Sequence, residues 1–137
     1  MLKKIWLVIL FQIICLTPAL PMQPEAIPEA IILAFRAGNA EELSKYFYNN
    51  IELIILENED VYSKTQAEQI LKKFFADHRP SSFNIIHEGG KETSRYAIGS
   101  LSTSSGNFRV SFLIKNQDGS LLIHQLRIEE EDEDNLL

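Results

Sequence analysis

His87, Tyr96 and His124 are the residues of this chain best suited to move a proton or orient a polar ligand. An imidazole titrates near neutrality and serves as acid or base, and a phenol hydroxyl beside it can donate or accept. His87 ends the alternating run "SFNIIH", with Gly89 and Gly90 behind it, and Tyr96 lies one hairpin further on. His124 alternates with Leu122, Leu126 and Ile128, which places it on an apolar strand face. Two chemistries follow: a small lyase, isomerase or hydrolase using His87 with Tyr96, or a non-catalytic site where these groups give a few hydrogen bonds to a ligand. Weighed against both, a strand-end histidine commonly packs its ring and satisfies one nitrogen, and a tyrosine commonly packs its ring and wets its hydroxyl.

Other site chemistry is not expected. His78, His87 and His124 show no close spacing such as His-x-x-x-His, and the sole thiol is Cys15, so a zinc site would have to be assembled wholly by the fold. There is no Gly-x-Ser-x-Gly and no phosphate-cradling glycine loop, and no cofactor is expected. "SLSTSSG" reads as a polar hairpin.

The elements that must hold these residues are legible from periodicity. Ile27, Ile31, Ala34 and Phe35 recur at helical spacing between Ala26 and Gly38, with Pro28 in the first turn and Gly38 as a left-handed stop. Asn39 with Glu42 predicts the cap of a short second helix running through Leu43, Tyr46 and Phe47 to Asn49 and Asn50. "IELIIL", Ile51 to Leu56, reads as a buried strand followed by the turn "ENED". Ser63 with Gln66 predicts a capping box, and Ala67, Ile70, Leu71, Phe74 and Phe75 give the long helix its apolar face until His78, Arg79 and Pro80 stop it. Four strands follow, near Phe83 to Glu88, Arg95 to Ser102, Phe108 to Lys115 and Leu121 to Ile128, as an antiparallel meander.

Such a sheet, oily on one side, needs helices on that side. Strict alternation puts Phe83, Ile85 and His87 on the inner face with Phe108, Val110 and Phe112, opposite Ile70, Leu71 and Phe74. The expected pocket is therefore mostly apolar and suited to a small apolar ligand, with Phe83, Phe112 and Phe74 in its lining and His87, Tyr96 and His124 as polar contacts. On the other face Leu113, Leu121 and Ile123 fall among Ser111, Gln125 and Arg127, a mixed surface that predicts a homodimer or a protein partner.

The order helix, short helix, strand, long helix, four-stranded sheet resembles the α+β cone of the nuclear transport factor 2-like, or cystatin-like, fold. More specifically, "VYSKTQAEQILKKFF", "SFNIIHEGG", "YAIGSL" and "FRVSFLIK" resemble a family of small exported bacteroidete proteins of unknown function with that fold. The resemblance runs from Pro24 to Glu129 and brings no assigned catalytic residue. Enzymes with this fold, such as ketosteroid isomerase and scytalone dehydratase, place acids, tyrosines or histidines inside the cone. Other members bind ligands or dimerise, so the fold does not choose among these roles. The predicted sheet has no Asp on its apolar faces, which does not match an aspartate-base site.

The first residues are of another kind. Lys3 and Lys4 lead into an apolar run from Ile5 to Leu16, the pattern of a signal peptide over residues 1–22, with cleavage expected after Ala19 or near Met22. The run falls short of the roughly 20 apolar residues a bilayer-spanning helix needs, so no stable membrane anchor is expected after cleavage. Ile14 before Cys15 is too large for lipoprotein processing, and the mature chain then has no cysteine and must fold without a disulfide. The expected location is periplasmic or secreted. Residues 23–128 form one domain, and residues 129–137, beginning "EEEDED", form an acidic disordered tail. With a formal charge of −6 and no basic patch, nucleic acid is not an expected partner.

Overall fold

Helix α1, Glu29–Ala37, buries Ile31, Ala34 and Phe35 along one stripe and ends at Gly38. There φ is 62°, in the left-handed region where glycine carries no Cβ penalty, and the Gly38 N–H reaches back to the Phe35 carbonyl. The structure is a computed structural model that describes residues 18–19 and 27–132. The expected leader, Pro18 and Ala19 apart, and the last residues of the acidic tail lie outside the described residues.

A short helix α2, Ala40–Ser44, is capped as expected, the Asn39 side chain accepting from the Glu42 N–H at 3.1 Å. It stops earlier than its periodicity predicts. Tyr46 and Phe47 leave the helix because the Tyr46 carbonyl accepts from the Ile123 N–H and Phe47 pairs beside Ile123 in the sheet, where it is fully buried. Strand β1 therefore begins at Phe47 and runs to Ile55, and Asn49 and Asn50 lie within it. The expected "ENED" turn is also corrected: Leu56 and Glu57 alone make the turn, with Leu56 at φ 56°, and Asn58–Ser63 returns as strand β2. β2 is an edge strand exposed over most of its length, so it lacks the apolar alternation that marks the others.

Helix α3, Lys64–Asp77, carries the predicted capping box, with the Ser63 hydroxyl accepting from the Gln66 N–H and the Gln66 side chain accepting from the Ser63 N–H. Its buried face is Ala67, Leu71, Phe74 and Phe75. The meander follows as β3 (Pro80–Lys91), β4 (Ser94–Thr103), β5 (Gly106–Gln117) and β6 (Ser120–Glu130). One six-stranded sheet results, in the order β2-β1-β6-β5-β4-β3, with β1 parallel to β6 and every other pair antiparallel. β6, the last strand among the described residues, is thus the one that joins the two halves of the sheet.

The core lies between the helices and the inner face of the sheet. Phe35 of α1 is its hub: its ring centroid is 4.6 Å from Phe83, 5.7 Å from Phe112 and 6.4 Å from Phe75. Phe74 packs edge-on to Phe108 at 5.2 Å. Phe83 fits there because Gly99, diagonal to it across the β3/β4 pair and opposite Ile85, has no side chain; a Cβ would come within 2.5 Å of the ring. β6 extends through Glu129 and Glu130, and Glu131 donates its N–H to Asn107, so the first acidic residues belong to the sheet.

Candidate functional site

Two β-bulges decide where the candidate histidines go. Along β3 the register passes from Ile85 opposite Gly99 to His87 opposite Ile98, so Ile86 is an extra residue and the strand phase flips. Ile98 lies between the buried Ala97 and Gly99, hence on the outer face, and His87 lies with it. The expectation that His87 lines the cone with Phe83 and Ile85 is corrected: the ring is exposed, away from α3. Tyr96 is also on the outer face, 40 % exposed, and its hydroxyl lies 3.0 Å from His87 Nε2. Its ring lies across Gly89, where a Cβ would stand 2.8 Å from the hydroxyl. The structure therefore brings the two together, though on an open surface. Among the described residues no carboxylate pairs with either ring.

A second bulge lies in β6, between Ile114 opposite Ile123 and Leu113 opposite Gln125, with His124 as the extra residue. Leu126, Ile128 and Ile123 all face inward, and Ile123 is fully buried. The outer-face placement of Leu121 and Ile123 is corrected for the same reason, Leu121 packing partly against the core. His124 leaves the apolar inner face and stacks on Tyr48 of β1, with centroids 4.2 Å apart and planes 15° from parallel. Its Nε2 is buried with no hydrogen-bond partner among the described residues. Burial first, and the nearby Lys115 ammonium second, lower its pKa below the usual imidazole value.

Phe83, Phe112 and Phe74 are buried core side chains, packed against other rings. The space in which a small apolar ligand was expected is thus occupied by the protein's own phenyl groups. A depression of about 500 Å³ does open at the sheet edge, between Ile32 of α1 and Ile85 to Glu88 of β3.

Sequence reasoning missed Tyr48, because Tyr46 to Asn50 was read as helix, although "FYNNIEL" has an aromatic start consistent with a strand. It also missed that His78 hydrogen-bonds the Ser105 hydroxyl through Nδ1, since the fold alone brings the end of α3 to the β4–β5 turn. That imidazole is wedged between Phe74 and Phe108, at 4.7 and 4.9 Å, as a packed helix cap.

The outer face is mixed in character. Val61, Leu113, Tyr96 and Ile98 lie on it beside Glu52, Gln125, Arg127 and Ser111. Gln125 donates to Glu52 at 2.9 Å and Arg127 pairs with Glu129 at 2.7 Å.

A curved six-stranded sheet with helices on one side defines an α+β protein of the cystatin-like, nuclear transport factor 2-like class. A cystatin-like domain of unknown function from Nostoc punctiforme shares that fold at TM-score 0.62 and 12% identity, covering 76% of this chain and 72% of its own. Within the class the chain belongs to the DUF4783 family, a domain of unknown function whose family model matches residues 28–129. It is similar to a DUF4783 protein from Bacteroides uniformis, with 39% identity and TM-score 0.75 over 79% of this chain and 100% of that one. A Bacteroides ovatus member has 36% identity and TM-score 0.75 over 78% and 97%. No protein of curated function matches the chain.

Proposed function

We propose that this domain works, after export, as a non-enzymatic interaction module that associates with a second copy of itself through the outer face of its sheet. The observation that carries this reading is the outer face itself. It exposes apolar side chains across several strands, Val61 at 63 % and Tyr96 at 40 %, with Ile98 and Leu113 half-buried between them. Mixed surfaces of this kind associate without being insoluble.

Charge favours a second copy as the occupant. The acids Glu52 and Glu59 lie on β1 and β2, whereas the cations Lys91, Arg109 and Lys115 lie on β3 and β5. A two-fold axis along the β5/β6 seam sets β1 and β2 of one copy over β4 and β3 of the other and β6 over β5, bringing Glu129 of one copy over Arg109 of the other and Val61 toward Tyr96.

Sedimentation equilibrium at micromolar concentration is expected to give twice the chain mass, and Val61→Glu, at an exposed position, is expected to give a folded monomer. A wild-type monomer persisting up to about 1 mM, weaker than about 4 kcal/mol of association, would overturn the reading.

A further inference from the structure

The Tyr48–His124 stack lies on the outer face, and the geometry around it makes the ring sensitive to protons. In the stacked position Nε2 is buried without an acceptor. A neutral imidazole can leave a bare lone pair there at small cost. A protonated one would bury an N–H with no partner, which is expensive, so the proton can be accommodated only if the ring turns out to water. Burial and the nearby Lys115 charge outweigh what the Tyr48 ring face and the Glu52 carboxylate would offer an imidazolium. From β5 comes the Lys115 ammonium, from β1 the Tyr48 phenol and the Glu52 carboxylate, which is engaged by Gln125, and along β6 Arg127 is paired with Glu129.

We propose that His124 is a proton-operated switch on this face: protonation turns its ring off Tyr48 and weakens the association of two copies. The inference rests on the self-association reading above and names its regulation. The lowered pKa of His124 agrees in sign. A depressed imidazole contributes stability that is fully present above the unfolded value of about 6.5 and is lost as pH falls through the lower folded value. In the two-fold arrangement above, β6 of one copy faces β5 of the other and covers the stack further, so the same sign carries to association, which is strongest at neutral and alkaline pH and weakens on acidification.

The test is sedimentation equilibrium of the wild type at about pH 7.5 and about pH 5, beside His124→Phe, which keeps an aromatic stack and takes no proton. The wild-type dissociation constant is expected to rise severalfold at the lower pH and that of His124→Phe to stay level. Nuclear magnetic resonance of the wild type guards against a variant that fails to fold: the His124 ring should titrate below the ordinary value and lose its contacts to Tyr48 at the same midpoint. A dimer whose affinity ignores pH, or a ring that titrates with the stack intact, overturns the switch while leaving the interface. A monomer at both pH values overturns the interface and the switch together, and the measured mass alone tells these cases apart.

Discussion

At Gly99 and Gly89 the same substitution meets two different environments, and the contrast measures what each glycine is for. In Gly99→Ala the new Cβ would lie 2.5 Å from the ring of Phe83, which is fully buried and held by Phe35. Neither ring has anywhere to go, so a loss of about 1–3 kcal/mol is expected in urea unfolding. In Gly89→Ala the Cβ meets the far end of the exposed Tyr96 side chain, which can swing away. There the expected loss is under about 1 kcal/mol, since only the His87–Tyr96 hydrogen bond is given up. His87→Gln should behave likewise. Its residue type is plain in the sequence, but its direction is not, because one extra residue at Ile86 reverses the face and "SFNIIH" looks like unbroken alternation.

Elements whose signals are local were legible, and those fixed by distant pairing were not. The capping box at Ser63 and Gln66 and the apolar face of α3 lie within one stretch of chain, and both appear as read. Ser63→Ala removes the hydroxyl that accepts from Gln66 and is expected to lower thermal stability by about 1 kcal/mol. The end of α2 was misplaced because Phe47 answers to Ile123, a residue far along the chain, and burial there outweighs helical spacing. Strand β2 was invisible for the opposite reason: as an exposed edge it has little to bury, and its Glu59 and Asp60 are what keep such an edge from pairing with other chains. The same limit explains why the core residues Phe83, Phe112 and Phe74 are legible while the absence of the expected pocket among them is not, since periodicity reports a face and not how tightly it is filled.

For the whole molecule, the export proposed above predicts that the native protein begins between Leu20 and Gln23; mass spectrometry showing an intact Met1 would count against it. A further consequence comes from the position of β6 between β1 and β5. Synthesis delivers that strand after the other five, so before it a nascent chain has helices, a β1–β2 ribbon and a three-stranded meander, but no central strand to join them. Until Ser120–Glu130 is available, the hydrogen-bonding edges of β1 and β5 both stand open. Removal of the residues after Asp118 is expected to leave a chain with no cooperative thermal transition, where loss of a peripheral strand would leave a weakened domain. Completion of the sheet is thereby withheld until the rest of the domain has been made, by the order of the strands themselves.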